Sequence, residues 1–478
     1  MTKQANNTAK PTVAEPVERR VSTKGNSPAR PEEGAQYPSG SEEKLARIRA
    51  LAREDRQLKF ENLAHHISEP LLHKAYQRLK KKAAAGVDGE TWESYGKELD
   101  ENIANLHKVV QDGRYKAKAV LRQWIEKPDG AKRPLGITCI EDKILQQAMV
   151  WVLESIYEAD FLGFSYGFRP KRSQHNALDA LYVAITQRKV NYVLDADIQG
   201  FFDQIDQQQL MRFIEHRISD RRILKLIEQT LQAGVMDEGQ WNRSETGIPQ
   251  GGVLSPLLAN IYLHYAFDQW ANQWRKRYAR GEVYIVRYAD DIITCFQYET
   301  DGQAFKRALE QRLAKFKLKL HPRKTKLIEF GRFAIGTYRQ KNLGKPETFD
   351  FLGFTHICGR RRKDGKFTLR RQTIAKRQRA KLNEIRQWLK RNRHKPIKDQ
   401  GEKLRSVILG AMNYYGVPGN LKAIDAFRTE ICKSWLRALR RRSQKAGKLT
   451  WEKMQILVRI WIPSSRTTHP YPNQRLRV

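Results

Sequence analysis

Two short segments constrain this chain more than any bulk property does. In "LDADIQGFFD" (194–203) an apolar run ends on Asp197, and in "RYADDIITCF" (287–296) Asp290 and Asp291 stand side by side between two apolar, β-branched stretches. Both patterns read as strands, the second as a hairpin with the aspartates at its tip. If the two belong to one antiparallel sheet, three carboxylates can converge. Such a cluster cannot stay ionised without a cation. A hard, oxygen-preferring ion such as Mg²⁺ suits it, and two such ions roughly 4 Å apart are a common apparatus for in-line phosphoryl transfer. An Asp-Asp pair is also favoured in turns for local hydrogen bonding, so taken alone it is equally an ordinary turn. Asp195 and Asp203 lie close by without an evident catalytic role, and Asp203 reads as a helix-start or structural residue.

Charge sets the class of partner. Lys and Arg number 89 against 52 Asp and Glu, a formal net charge of +37. Self-repulsion of this size opposes compaction. A polyanionic partner explains it best, with nucleic acid first and an anionic membrane surface second. No apolar run approaches the roughly 18–20 residues of a membrane span, and the N-terminus has no apolar signal core. Cys139, Cys295, Cys358 and Cys432 are far apart, which excludes a CxxC zinc module and predicts reduced, mostly buried thiols. The expectation is a cytosolic protein without a membrane partner.

Organisation follows from composition and periodicity. Residues 1–40 are polar, Pro-rich and basic, and are expected to be a disordered leader. Helical periodicity starts at Ser41 and continues to about 110, broken at the Gly-Val-Asp-Gly turn signal near 86–89. Residues 119–138 read as a hairpin turning at Pro128-Asp129-Gly130. Residues 141–185 are mainly helical around "GFSYGFRPKRS", 207–233 are read as one helix, and 246–270 as a Gly/Pro loop entering a long helix. Residues 349–369 are strand-like. From Thr368 a basic helix carries Ile374, Leu382, Ile385, Trp388 and Leu389 on its apolar side. Further helices are expected at 401–414 and 421–443, and 463–478 is expected to lie extended.

The motifs occur in a telling order: "AAGVDG", "KRPLGITCIEDKILQQAM", "YGFRPKRSQHNAL", "DADIQGFFD", "GIPQGGVLSPLLANI", "RYADD", "LHPRKTKL" and "FDFLGF". Over residues 60–450 the chain resembles the group II intron-encoded reverse transcriptase/maturase family. The resemblance implies an α+β, right-hand polymerase fold, with fingers and a palm built on an antiparallel sheet, then an α-helical thumb. The implied segments are a leader (1–40), an N-terminal helical extension with part of the fingers (41–118), fingers and palm (119–367), thumb or domain X, the maturase region (368–443), and a short basic DNA/RNA-binding tail without an endonuclease domain (444–478).

By that resemblance Asp197, Asp290 and Asp291 are the catalytic, metal-binding carboxylates, holding two Mg²⁺ ions with Mn²⁺ as a substitute. Lys127, Arg133, Phe202 and Gln250 match the dNTP site. A guanidinium at Arg133 can grip phosphate oxygens bidentately. Phe202 matches the aromatic gate that would clash with a ribose 2′-hydroxyl, and the glycines after Gln250 let backbone approach closely. Lys127 and Phe202 also suit a solvated turn lysine and a core phenylalanine. Arg169, Lys171 and Arg172 are read as template contacts, and Phe351, Leu352 and Gly353 as the primer grip.

The C-terminal half carries the maturase expectation. Tyr414 and Tyr415 in "SVILGAMNYYGVPGN" could stack on exposed bases or pack between thumb helices. Arg437, Arg440, Arg441 and Arg442 are read as intron RNA contacts, and His469 as an RNA or packing residue. The implied activity is RNA-directed DNA synthesis by a protein that also binds its group II intron RNA, assists splicing and copies the intron. Its implied partners are that RNA, a DNA target and primer, and dNTPs, in a bacterial cytoplasm and on the nucleoid when DNA-bound. Two alternatives stay open: a host-adapted enzyme of defence or repair, and a splicing maturase with a silent polymerase.

Overall fold

A computed structural model describes residues 39–126, 132–242, 246–361 and 363–475, with Ser39, Glu126 and Arg133 described by their backbone alone. The expected leader therefore lies almost wholly outside the described residues, as do Lys127 and the turn at 128–130. Among the described residues the strands are β1 (Val120–Glu126), β2 (Lys132–Ile137), β3 (Tyr192–Asp197), β4 (Val235–Asp237), β5 (Gln240–Asn242) and β6 (Val283–Tyr288). They continue with β7 (Asp291–Phe296), β8 (Lys326–Glu329), β9 (Phe349–Phe351), β10 (Phe354–Arg360) and β11 (Phe367–Thr373). With the helices they make an α+β chain built on three sheets, ordered β2-β1-β4-β5, β6-β7-β3-β8 and β11-β10-β9.

The second sheet positions the carboxylates. It is antiparallel throughout, and both of its faces are covered. Leu194, Ala196, Ile292 and Phe296 point into one core, shared with helices Ile140–Asp160 and Ser255–Leu263. Val193, Val286, Ile293 and Cys295 point into another, shared with helix Gln174–Gln187 and the β9–β11 sheet. Burial on both sides explains why these strands read as continuous apolar runs without clean alternation. Asp195, Asp197 and Asp291 have the parity of the second face, where an apolar residue would otherwise sit.

Helices Ala375–Arg391, Ile397–Tyr415, Leu421–Arg440 and Trp451–Trp461 surround a separate core that includes Leu389, Leu404, Ile431, Trp435 and Met454. Trp435 is fully buried and donates from its indole nitrogen to Gln400 Oε1 at 2.8 Å. Burying the indole while satisfying its donor is what lets a tryptophan fill such a core.

Several expectations need correction. The single helix over 207–233 is two, Gln207–Glu215 and Arg221–Gln232, because Asp220 caps the second through the amides of Arg222 and Ile223. The β4–β5 hairpin was not anticipated; Gly239, at φ +84°, makes its turn. The boundary placed at 367 falls inside β11, which pairs with β10 along its whole length. The C-terminal segment has no helix or strand over 463–471, as expected of an extended run, but it ends in a helical turn, Pro472–Arg475, and packs back onto the protein. His469 is buried and its Nε2 stands 2.7 Å from Asn413 O, and Arg475 forms an ion pair with Asp179 at 3.1 Å. A Cβ at Gly416 would collide with Thr468, so the glycine of "NYYG" admits this returning segment. The four cysteines are free, and three of them are buried. No helix among the described residues is long and apolar enough to cross a membrane.

Candidate active site

The register of β3 against β7 sets Asp197 directly opposite Asp291. β6 enters β7 through a two-residue turn, Ala289–Asp290, with Tyr288 opposite Asp291. Two of the predicted carboxylates therefore face each other across neighbouring strands, and the third stands on the adjoining turn. That turn is strained, because Ala289 has φ +56° at a position where such hairpins normally use glycine.

The electrostatics match the crowding. Asp291 is exposed to solvent, although protein atoms crowd around its carboxyl. Burial first, then Asp290 and Asp197, push its carboxyl up to about 6. Asp195 is pushed up to about 7 by burial, then by Asp291, Asp197 and Asp350. Lys324 opposes this, with Nζ 3.3 Å from Asp197 Oδ2. Its loop is tied to the same strand, since the His321 amide donates to Asp197 O at 2.8 Å. The role of Lys324 was not anticipated. Asp195 could have been singled out, because a strand's period of two puts it on the face of Asp197.

Among the described residues no three His, Cys, Asp or Glu side chains are gathered closely enough to enclose a metal ion by themselves. The donor set still fits Mg²⁺, which usually takes one or two carboxylates and completes its shell with water and substrate phosphates.

The turn rests on a buried polar cluster that sequence reasoning missed. Arg287 is fully buried and donates to both carboxylate oxygens of Asp268, at 2.7 and 2.5 Å, and to Ser165 Oγ, Asn260 Oδ1 and Ala289 O. A cavity of 320 Å³ is lined by Arg122, Pro134, Gly136, Asp203, Ile248 and Gln250. Gln250 Nε2 donates to Asp203 Oδ1 at 3.3 Å. Phe202 is half-buried, packed edge-on to Phe201 with ring centres 5.3 Å apart.

Residues 125–356 match the family model described as "Reverse transcriptase (RNA-dependent DNA polymerase)". The chain is 32% identical to Protein YkfC of Escherichia coli K12 over 319 residues, which is 59% of this chain and 83% of that protein. It is 36% identical to the group II intron-encoded protein LtrA of Lactococcus lactis subsp. cremoris over 238 residues, 49% of this chain but only 39% of LtrA. It is 40% identical over 143 residues to an uncharacterized 91 kDa protein in the cob intron of Schizosaccharomyces pombe, covering 30% of this chain and 18% of that one. The chain belongs to the group II intron reverse transcriptase/maturase family.

Within this reverse transcriptase/maturase chain, several residues read as nucleic-acid contacts are held inside the protein. Arg169 is 4% exposed; it forks onto Glu158 at 2.8 and 3.0 Å and donates to Leu162 O and Ser165 O. It is a staple of its own loop and has no face left for template. Arg172 is half-buried and donates to Gly163 O and Ser165 O, so Lys171 alone of the three is exposed. Phe351 is buried, and Leu352 and Gly353, at φ +46° and +83°, form the β9–β10 turn. Tyr414 donates to Leu352 O at 2.9 Å and stacks on Phe354, and Tyr415 meets Phe354 edge-on. These tyrosines join helix Ile397–Tyr415 to the β9–β10 turn and are not free platforms for bases. The close approach made by the glycine after Gln250 is to β2, since a Cβ on Gly251 would collide with Gly136 O.

Of the basic quartet, Arg437, Arg440 and Arg441 are exposed, Arg440 also donating to Leu449 O at 2.7 Å, and half-buried Arg442 donates to Lys395 O. A groove of 440 Å³ opens between helices 375–391, 397–415 and 421–440, with Arg377, Lys381, Tyr415 and Phe427 in its lining.

Proposed function

We propose that this protein is an RNA-directed DNA polymerase that also binds a group II intron RNA, assists its splicing and copies it. The observation that carries the reading is the facing pair Asp197–Asp291 with Asp290 on the adjoining turn. In this reading the β6-β7-β3-β8 sheet is the palm, the β1–β2 hairpin belongs to the fingers, and the helices from Ala375 onward form the thumb and maturase region. Asp197, Asp290 and Asp291 would hold two divalent cations. Bound there, Mg²⁺ supplies activation of a primer 3′-hydroxyl and neutralisation of the triphosphate.

The chain's own residues do the rest. Asp197, now 3.3 Å from Lys324 Nζ, would be among the residues that hold the cation, and the Lys324 ammonium beside it would be available to phosphate oxygens. Gln250 and Phe202 border the nucleotide, with the ring of Phe202 excluding a 2′-hydroxyl. By the family resemblance, Lys127 and Arg133 would meet the triphosphate. The intron RNA is met by the exposed basic faces of the C-terminal helices. Both the +37 charge and the relatives encoded in introns support this reading.

The test is extension of a DNA primer on an RNA template with Mg²⁺, by wild type and Asp290→Ala. Extension should fall by about three orders of magnitude in the variant, and equal extension by both would overturn the assignment. Splicing is tested separately. Protein added to its intron RNA at low Mg²⁺ should accelerate splicing, and Asp290→Ala should do so equally. Failure of both proteins to accelerate it would remove the maturase half of the proposal.

A further inference from the structure

The cluster under the Ala289–Asp290 turn is more elaborate than a hairpin needs. Arg287 is the penultimate residue of β6, and its side chain spends all of its donor directions inside the protein. Three of its contacts belong to the surroundings: Asp268, Asn260 and Ser165. The fourth, at 3.0 Å, goes to the carbonyl of Ala289, the residue of strained φ that precedes Asp290. Asn260 donates onward to Gly167 O at 2.7 Å. Gly167 lies so close under the turn that a Cβ there would collide with the Ala289 amide. The "GFSYGF" loop also pairs with β6, through Tyr166 N to Arg287 O at 2.8 Å and Arg287 N to Phe164 O at 2.9 Å. Asp268 ends a π-helical turn, His264–Asp268, inside an otherwise α-helical run. Such a bulge re-aims the side chains around it and recurs at functional sites.

Burying an arginine–aspartate pair brings little net stability, because desolvation offsets the attraction. What a fully satisfied buried network does provide is a unique geometry. Here the guanidinium's hydrogen bond to the turn is to the carbonyl next to Asp290, and Gly167 approaches the same turn from below.

We infer that Arg287, with Asp268, Asn260, Ser165 and Gly167, is the positioning device of the polymerase site. It holds the left-handed turn at Ala289 and so fixes where the Asp290 carboxylate stands relative to Asp197 and Asp291. None of these five residues touches substrate; they act through the turn. The inference rests on the polymerase reading above.

The test uses the full chain and primer extension titrated with Mg²⁺. Gly167→Ala lifts the turn without touching the ion pair, Ser165→Ala removes one support of the guanidinium, and Arg287→Lys keeps the charge but loses the fork. Each is measured at a temperature where circular dichroism shows it folded. Gly167→Ala and Arg287→Lys should lower kcat about 10- to 100-fold and raise the Mg²⁺ needed for half-maximal extension several-fold, with dNTP KM and RNA affinity within about twofold of wild type. Ser165→Ala should shift the Mg²⁺ requirement about twofold in the same direction, and it carries the test if Arg287→Lys does not fold. A folded Gly167→Ala with wild-type kcat and Mg²⁺ requirement overturns the inference. So does a loss of kcat with no change in Mg²⁺ requirement. Asp290→Ala runs alongside: if it extends primers normally the polymerase reading itself fails, whereas an inactive Asp290→Ala beside unaffected Gly167→Ala removes only the positioning role.

Discussion

Asp197 and Asp291 are direct cross-strand partners on the same face of the central sheet. Their mutual repulsion, with Asp290 beside them, helps hold the Asp291 carboxyl at about 6. The folded value lies above the unfolded one of about 3.9, so the folded state binds the proton more tightly. Stability without metal therefore falls as pH rises from about 4 through about 6, and Asp195, held at about 7, extends that fall in the same direction. Mg²⁺ needs the ionised carboxylates, so its stabilising effect should be small near pH 5 and full above about pH 7. Thermal melts with and without Mg²⁺ across this range check it. Asp290→Asn should move the onset of the Mg²⁺ effect to lower pH, because one source of repulsion is gone. A Mg²⁺ effect independent of pH would contradict the account.

Phe202 stands beside Gln250's partner Asp203, half-buried against Phe201. As a gate it has a chemical consequence that a core residue lacks. Phe202→Ala should reduce discrimination against ribonucleotides on the order of 10–100-fold, read as the ratio of kcat/KM for a dNTP to that for the matching rNTP. If the ratio is unchanged while stability drops, the ring serves packing alone.

Arg169 and Lys171 sit two residues apart in "RPKRS" and should behave oppositely. Arg169 is closed onto Glu158, with its side chain 1% exposed. Arg169→Ala removes a buried fork onto that carboxylate and the bonds to Leu162 O and Ser165 O, and should cost about 3–5 kcal/mol in urea unfolding. Lys171→Ala should leave stability within about 0.5 kcal/mol and weaken primer–template binding modestly. The reverse pattern would restore Arg169 as a template contact.

The difference between these two residues shows where sequence stops being legible. The catalytic strands could be read because local patterning carries them: an apolar run ending in Asp197, and a hairpin with two aspartates at its tip. Register then followed from the two buried faces, since a one-residue slip would turn every apolar side chain to the wrong side. The supporting residues carry no local signal. A guanidinium suits a phosphate and a loop carbonyl equally well, so "RPKRS" cannot announce that Arg169 and Arg172 are consumed by the carbonyls of Leu162, Gly163 and Ser165. Arg287 reads as the polar start of a motif, and its partner Asp268 is reached only through a π-helical turn that no periodicity foretells. Tyr414 and Tyr415 read equally as base platforms or packing residues because the β9–β10 turn that meets them lies some sixty residues upstream.

The same reasoning divides the C-terminal arginines by what their side chains already hold. Arg437, Arg440 and Arg441 are all exposed, but Arg440 spends a donor on the carbonyl of Leu449, as half-buried Arg442 does on that of Lys395. RNA affinity should fall steeply with salt, because each phosphate neutralised releases condensed counterions. Arg437→Ala and Arg441→Ala should each lower the slope of log affinity against log salt by about 0.7–0.9, with unchanged melting temperature. Arg440→Ala and Arg442→Ala should alter that slope less and lower the melting temperature, since each unties a helix end from a neighbouring loop. Filter binding of the intron RNA across a salt series, with melts of the same preparations, separates the two pairs. Equal slopes for all four variants and wild type would mean that the RNA is held elsewhere on this basic surface.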